Sequence, residues 1–253
     1  DQPDLKLPGL MFAAIQLREM GAASVSLIAP YLPYMRHDDR FNEGEALSSR
    51  IVSRWLQGHF DGLITVDPHL HRYEDMAELY QIPTITLKAT QAMESWLQSH
   101  CSQACIIGPD AESEQWVRPL AERLNAPWWV LRKVRSGDRD VAVSTAGAEY
   151  SDDEQSLIER LRNGALTPVL VDDILSTGMT IKQAAHQLDA LGIGQAICLV
   201  THPLFSDHHA QDVGPFTLDA CVREVVSSNT IHHPSNGLDV VPVLVEGLKT
   251  LLK

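Results

Sequence analysis

Two adjacent carboxylates stand between an apolar run and a turn rich in hydroxyl groups. The run Val169–Val171 is short and apolar, which is typical of a parallel strand covered on both faces. Asp172 and Asp173 follow it directly, at the strand end where open α/β sheets bind their ligands. Ser176–Thr180 then combines hydroxyls with closely spaced N–H groups where a helix should begin, which favours a phosphate group. The alternative is that the acids only cap the next helix.

A second group of charged side chains follows the apolar run Ser24–Ala29. Arg36 could bind phosphate oxygens through its planar guanidinium, and His37 could contact a nucleotide. A solvated loop of alternating charge is the alternative, and these residues taken alone favour it.

Acids and histidines also follow two further predicted strands. His69 lies two residues after Asp67, behind the run Leu63–Val66, and an imidazole beside a carboxylate can hold a divalent metal ion. His71 would lie on the same side of an extended segment, which permits a zinc pair, but the sequence has no Cys or third His nearby. Asp110 could be a metal-side carboxylate or the N-cap of the next helix.

Four cations lie within the eight residues Arg132–Arg139 of an otherwise acidic chain. Lys133 and Arg135 alternate, so an extended backbone would direct both at one target. A mobile basic flap that closes over phosphates is the functional interpretation. A solvated hairpin is the alternative.

Composition limits the possible functions. The chain has 253 residues, of which 44% are hydrophobic and 21% charged, and these values are typical of a globular protein. The net charge of −13 argues against broad nucleic-acid binding, which needs a basic surface. No apolar run approaches the length of a membrane span. Four cysteines without a CxxC pair favour free thiols in a reducing cytoplasm. Because the chain begins at Asp1, we expect a missing N-terminal segment.

The chain alternates predicted strands and helices in two successive series. This order predicts an α/β fold with mainly parallel sheets flanked by helices. The boundary between the series is predicted at Leu87–Gln91, and a final amphipathic helix is predicted at Val241–Leu252.

Taken in order, these strings resemble ribose-phosphate diphosphokinases, the synthetases of phosphoribosyl diphosphate (PRPP). The resemblance extends over the whole chain and rests on Tyr34, Arg36 and Asp38; Thr65–His69; Pro109–Asp110; Lys133 and Arg135; Asp172–Thr180; Thr201–Pro203; and Ser228–Ile231. The Asp172–Thr180 loop alone is also similar to that of type I phosphoribosyltransferases. Several positions depart from the family pattern. Among them, Asp39 stands where a base is common, and Arg72 where a glutamine is common.

The resemblance implies an architecture and a cellular setting. We expect two tandem phosphoribosyltransferase-like (type I) domains, with the first over residues 1–88, the second over residues 89–238, and the helix 239–253 packing back on the first. A cytoplasmic homo-oligomer, dimeric or hexameric, is also expected, with no nucleic-acid or membrane partner.

The resemblance also implies an activity, the transfer of the diphosphoryl group of ATP to the 1-hydroxyl of ribose 5-phosphate. The implied roles are ribose 5-phosphate binding for Asp172, Asp173, Ser176, Thr177, Gly178, Met179 and Thr180; ATP binding for Arg36 and His37; Mg²⁺ binding for His69 and Asp110; and catalysis for Lys133 and Arg135. A transferase that consumes PRPP and a non-catalytic relative of the synthetase are the alternatives.

Overall fold

The computed structural model describes residues 2–40, 42–132, 150–205 and 218–252. The chain divides into two compact units. The first extends to Ala89 and includes the C-terminal segment from Val240, and the second is Thr90–Asp239. Within the described ranges, no helix combines the length and apolarity that crossing a membrane requires.

Helices and strands alternate through most of the chain. In chain order they are α1 (Pro3–Glu19), β1 (Ser26–Ile28), α2 (Ser48–Gln57), β2 (Gly62–Val66), β3 (Thr84–Leu87), α3 (Thr90–His100), β4 (Ala104–Gly108), α4 (Glu114–Leu124), β5 (Trp128–Val130), α5 (Asp152–Arg162), β6 (Thr167–Leu175), α6 (Met179–Ala190), β7 (Ala196–Pro203), β8 (Val222–Ser228), β9 (Asn236–Leu238) and α7 (Val241–Leu251). Short 3₁₀ helices occur at Met76–Glu78 and Ala111–Ser113.

The strands of the first unit form a parallel sheet in the order β1–β2–β3. All of β2 is buried, as expected for a central strand covered on both faces. The C-terminal helix α7 packs against β2 and β3. Its Gly247 permits a close approach, since a Cβ atom there would lie 2.9 Å from Cδ1 of Leu87. The last helix therefore belongs to the core of the first unit.

The second unit is built on a larger sheet. Among the described residues, its strands lie in the order β5–β4–β6–β7–β8–β9, and every neighbouring pair is parallel. β4 and β7 are buried along their whole length. Leu170 of β6, Ile181 and Leu188 of α6 and Cys198 of β7 share one apolar core. This packing fixes β6 and the helix that follows it relative to each other.

One strand is longer than its sequence pattern predicts. The predicted strand Val169–Val171 extends over Thr167–Leu175, so Asp172 and Asp173 lie inside β6 and not after it. β7 pairs with β6 along this extension. The hydrogen bonds between strands are made by the main chain and do not depend on side-chain charge. A prediction based on apolar residues, in contrast, ends the strand at the first carboxylate.

The beginning of α5 and the strand β8 are also not predicted by apolar periodicity. α5 begins at Asp152, ahead of its first apolar residue, Leu157, because Ser151 and Glu154 form a capping box. The Glu154 N–H donates to Ser151 Oγ at 3.3 Å, and the Ser151 N–H donates to the Glu154 carboxylate at 2.8 Å. β8 carries Arg223 and Glu224 among its apolar residues, which obscures the strand signal.

Candidate active site

Asp172 and Asp173 occupy the part of β6 that extends beyond its neighbour β4. Pairing of β6 with β4 ends at Leu170, whereas pairing with β7 continues to Leu175. The two carboxylates are close enough to interact directly through their side chains. Asp173 is buried, with 4% of its surface exposed, and Asp172 is half-buried.

The carboxylate of Asp172 is surrounded by like charge. Burial raises its pKa well above the ordinary value, and the charge of Asp173 and then that of Asp110 raise it further. The Asp173 N–H opposes this shift by donating to Asp172 Oδ1 at 3.0 Å. A cation or a pair of hydroxyl donors would offset the repulsion, so the site suits a divalent ion or a sugar diol.

Asp110 lies just beyond the carboxyl end of β4 and caps the 3₁₀ helix Ala111–Ser113. Its Oδ1 accepts a hydrogen bond from the Glu112 N–H at 3.1 Å. The capping role that the sequence left open is therefore present. The same carboxylate also raises the pKa of Asp172, so the ends of β4 and β6 bring acids together at one edge of the sheet.

The turn after β6 leads into α6 and requires glycine. Gly178 has a φ of 74°, and a Cβ atom at this position would collide with the Leu218 side chain. Gly178 provides no side-chain cap for the first turn of the helix. Thr177 Oγ1 accepts from the Met179 N–H at 3.4 Å, and Thr177, Met179 and Thr180 are exposed. The turn therefore presents hydroxyls and a helix N-terminus to solvent, which favours an anion.

Short polar side chains join the ends of β7 and β8. Ser228 Oγ donates to the Thr201 carbonyl at 2.6 Å. Thr230 Oγ1 lies 3.0 Å from the same carbonyl and 2.9 Å from Nδ1 of His202. His202 is 1% exposed. These contacts hold the carboxyl end of β7 against that of β8, and β7 in turn pairs with the part of β6 that carries Asp172. The types of these residues alone predict no role for them. Their hydroxyl groups do follow apolar runs directly, and this position could have marked them as candidates for the site.

Arg36 and His37 lie in a turn of the first unit, after β1. The His37 N–H donates to the Tyr34 carbonyl at 3.1 Å, and the His37 carbonyl accepts from the Ser49 N–H at 3.3 Å, at the beginning of α2. Both side chains are exposed. The main chain of the turn is therefore fixed, and the two side chains are accessible to a ligand from solvent.

Asp67 anchors the loop that carries His69. Asp67 is 2% exposed, and its Oδ2 accepts from the Ala89 N–H at 2.9 Å. Its Oδ1 lies 3.3 Å from Nζ of Lys88. These contacts tie the end of β2 to the segment after β3, which is a structural role. His69 is half-buried, and its ring stacks on that of His71 with centroids 6.2 Å apart.

An ion pair joins these two loops of the first unit. Arg72 Nη2 lies 2.7 Å from Asp39 Oδ2. Asp39 and Arg72 are two of the positions at which the sequence departs from the pattern of the ribose-phosphate diphosphokinases. The acid at one position is thus matched by a base at the other, so the two departures compensate each other in charge.

Lys133 and Arg135 lie outside the described residues. The preceding Arg132 is described, and its guanidinium lies 3.4 Å from the Glu154 carboxylate at the beginning of α5. The catalytic roles expected of Lys133 and Arg135 stay predictions.

Residues 75–234 match a family model described as a phosphoribosyl transferase domain. The chain belongs to this family. The matched phosphoribosyl transferase domain includes the carboxylate pair of β6, Gly178 and the Thr201–Thr230 contacts. Arg36, His37 and His69 precede the matched range.

The similarity of this phosphoribosyl transferase family member to known proteins extends over nearly the whole chain. The chain is 29% identical to the ribose-phosphate pyrophosphokinase of Methanopyrus kandleri over 236 residues, which are 92% of this chain and 74% of that protein. It is 29% identical to the enzyme of the same name from Methanobrevibacter smithii over 248 residues, 97% of this chain and 80% of the relative. The predicted resemblance to ribose-phosphate diphosphokinases is confirmed.

A solved structure is similar in fold. The crystal structure of phosphoribosylpyrophosphate synthetase from Mycobacterium smegmatis matches with a TM-score of 0.73 and 21% identity, covering 97% of this chain and 77% of that one. The predicted fold class, α/β with parallel sheets flanked by helices in type I phosphoribosyltransferase-like domains, is confirmed.

Proposed function

We propose that the chain is a ribose-phosphate diphosphokinase, which transfers the β,γ-diphosphoryl group of ATP to the 1-hydroxyl of ribose 5-phosphate. The observation that carries this proposal is the carboxylate pair of β6 followed, within the same unit, by the Gly178 turn and the exposed N-terminus of α6. This order gives a sugar diol and a phosphate adjacent binding positions. Similarity to pyrophosphokinases along most of the chain supports diphosphoryl transfer over other uses of that site.

The acceptor is held by the second unit in this proposal. Asp172 and Asp173 accept hydrogen bonds from the 2- and 3-hydroxyls of ribose, which relieves the repulsion that raises the Asp172 pKa. The 5-phosphate lies at the N-terminus of α6, where the helix dipole and the side chains of Ser176, Thr177 and Thr180 favour an anion. The contacts with the 2- and 3-hydroxyls and with the 5-phosphate orient the sugar, and none of them involves the 1-hydroxyl that reacts.

We assign the nucleotide contacts to Arg36 and His37. We assign the contacts with the transferred phosphates to Lys133 and Arg135. Arg36 is exposed and can bind two phosphate oxygens at once. Lys133 and Arg135 would stabilise the negative charge that develops on the diphosphoryl group in the transition state.

Mg²⁺ is the metal ion that the assignment implies. The acidic donors beside Asp172 fit a hard cation, since carboxylate oxygens are the ligands that Mg²⁺ prefers. We assign Asp110 and His69 to metal binding, with His69 acting directly or through water. When bound, Mg²⁺ supplies charge neutralisation for the ATP phosphates.

The reaction is a single in-line displacement. The 1-hydroxyl oxygen of ribose 5-phosphate forms a bond to the β-phosphorus of ATP, while the bond from that phosphorus to the α,β-bridging oxygen breaks. AMP leaves with the bridging oxygen, and the hydroxyl proton passes to solvent. The chain's own residues contribute alignment of the two substrates and stabilisation of charge.

An assay with separate substrate sets tests this proposal against its two alternatives. With ATP, Mg²⁺ and ribose 5-phosphate, the full chain should form AMP and PRPP in equal amounts. Base-dependent release of diphosphate from added PRPP would instead indicate a PRPP-consuming transferase, an activity that the phosphoribosyl transferase domain match also permits. Absence of both reactions from folded protein would indicate a non-catalytic relative.

We also propose self-association of the chain through the first unit. α1 and α2 expose large apolar side chains on neighbouring positions, among them Phe12, which is 72% exposed, and Trp55, which is 55% exposed. An apolar hollow between these helices is lined by Met11, Phe12, Ile15 and Trp55. Light scattering after size-exclusion chromatography should give a mass above that of one chain, and Trp55→Glu should reduce it.

A further inference from the structure

Three side chains of different chemistry meet on the second unit, between α6 and the beginning of β8. Nε2 of His186 lies 3.2 Å from Oδ2 of Asp219, and Nδ1 of His186 lies 3.6 Å from Sγ of Cys221. One possible ligand atom from each of the three lies within 4.8 Å of those of the other two. The proposed diphosphoryl transfer assigns no role to any of them.

A turn before β8 brings Asp219 and Cys221 to the same place. The Val222 N–H donates to the Asp219 carbonyl at 3.0 Å and closes the turn. The Cys221 N–H donates to Asp219 Oδ1, also at 3.0 Å. This second bond orients the carboxylate so that Oδ2 is directed at His186. Metal-binding carboxylates are commonly held by outer hydrogen bonds of this kind.

Further negative charge and access to solvent also favour a cation. Asp189 lies three residues after His186 on α6, hence on the same face of the helix, and its charge acts on the Cys221 thiol. The side chain of His186 is 49% exposed and that of Asp219 is 20% exposed. An ion can therefore reach the group from solvent, with an open position left for water.

We propose that His186, Asp219 and Cys221 form a binding site for a zinc ion or a chemically similar divalent cation, with water as a fourth ligand. Nitrogen, sulfur and carboxylate oxygen are the donors that zinc binds. Magnesium prefers oxygen ligands, so this site is distinct in chemistry from the magnesium position proposed for the transfer.

The geometry requires only a small contraction. Ligand atoms on a tetrahedral zinc ion lie roughly 3.3–3.7 Å apart, given bonds of about 2.0–2.3 Å. A separation at the 4.8 Å limit would therefore have to close by about 1 Å. The exposed ring of His186 can turn to present one nitrogen to the ion. Binding replaces the two hydrogen bonds of the imidazole and releases the thiol proton. The ion would then connect α6, which begins at the Gly178 turn, to the start of β8.

The test uses the full chain, freed of metal with a chelator and then titrated with Co²⁺ as a spectroscopic substitute for zinc. We expect one equivalent of Co²⁺ to produce a thiolate-to-cobalt charge-transfer band, and Zn²⁺ to abolish the band by displacement. Cys221→Ser should lose the band. Cys101→Ser is the matched control, because Cys101 is a half-buried free thiol elsewhere in the same unit, and it should keep the band.

His186→Ala and Asp219→Asn each remove a proposed ligand and keep the Cys221 thiol, so they distinguish binding of the ion at the whole site from a reaction of the thiol alone. Each should weaken zinc affinity by at least the roughly 10–100-fold that loss of an outer partner typically causes, while circular dichroism shows the fold retained. The proposal would be overturned by a folded wild-type chain without the charge-transfer band, by an unchanged band in Cys221→Ser, or by alkylation of Cys221 at the same rate with and without Zn²⁺. None of these readouts depends on ATP or ribose 5-phosphate.

Discussion

Arg72 and Asp39 form an ion pair, with 2.7 Å between Nη2 and Oδ2, that connects the loop of Arg36 and His37 to the loop of His69. Both partners are more than a third exposed, so the pair contributes little to the stability of the fold. Its effect is local: it links the positions of two loops to which we assign nucleotide and metal contacts.

A double-mutant cycle measures this coupling. Arg72→Gln and Asp39→Asn should each raise the KM for ATP, while the double variant should be little worse than either alone. The expected coupling is about 0.2–1 kcal/mol, the usual range for an exposed pair. Additive effects on the KM would contradict the coupling. The exposed Arg118–Glu122 pair of α4 is the control, and its removal should leave the KM unchanged.

The raised pKa of Asp172 predicts a pH-dependent stability. Because the folded pKa lies above the unfolded one, the folded chain binds more protons in the interval between them, and stability falls as the pH rises through it. Asp172→Asn removes the repulsive charge. In the presence of a chelator, urea unfolding should therefore show this variant to be more stable than wild type at neutral pH. The difference should vanish at a pH below both pKa values, and a constant difference would contradict the assignment.

The same Asp172→Asn substitution should weaken ribose 5-phosphate binding, because an amide offers one acceptor oxygen in place of a carboxylate. Calorimetric titration with ribose 5-phosphate is the direct measurement. Unchanged affinity would exclude the proposed contact with the ribose hydroxyls.

Gly178 should tolerate no side chain, for two separable reasons. Gly164 has nearly the same φ, 75° against 74°, but its Cβ position has no neighbour within 4 Å. Gly164→Ala should thus cost only the left-handed strain, about 1–2 kcal/mol. Gly178→Ala should cost about 1–3 kcal/mol more, since Leu218 must move. Equal losses of unfolding free energy in urea would show that the contact with Leu218 is unimportant.

Lys133→Ala should reduce turnover by roughly 10²–10³-fold, the usual cost of losing a group that stabilises transition-state charge. Lys249→Ala provides a control, because Lys249 is an exposed lysine on α7 paired with Glu246. Steady-state kinetics should show a fall in kcat for the first variant only. Near-normal turnover of Lys133→Ala would remove this residue from the mechanism.

The parallel core could be predicted because its strands are almost wholly apolar. Leu63–Val66 and Ala104–Ile107 lie within strands that are buried throughout, so their patterns carry the full signal. The signal fails where main-chain pairing alone extends a strand, as from Asp172 to Leu175. It fails also in β8, where Arg223 and Glu224 interrupt the apolar pattern.

The candidate site could be predicted only in part, because the sequence shows residue types but not contacts between distant residues. Adjacent acids, a glycine and hydroxyls are visible as residue types, so Asp172–Thr180 could be selected from the sequence. The contact of Thr230 with His202 and the pairing of Asp39 with Arg72 join residues far apart in the chain. Such contacts depend on strand order and loop course, which single-sequence patterns do not specify.

The fate of the β-phosphate of ATP tests the central claim most directly. ATP radiolabelled at that position is incubated with the full chain, Mg²⁺ and ribose 5-phosphate, and the products are separated. Diphosphoryl transfer predicts that the label appears in PRPP and is absent from AMP, with no reaction when ribose 5-phosphate is omitted. Label recovered in ADP, in free phosphate or in unchanged ATP would contradict the assignment.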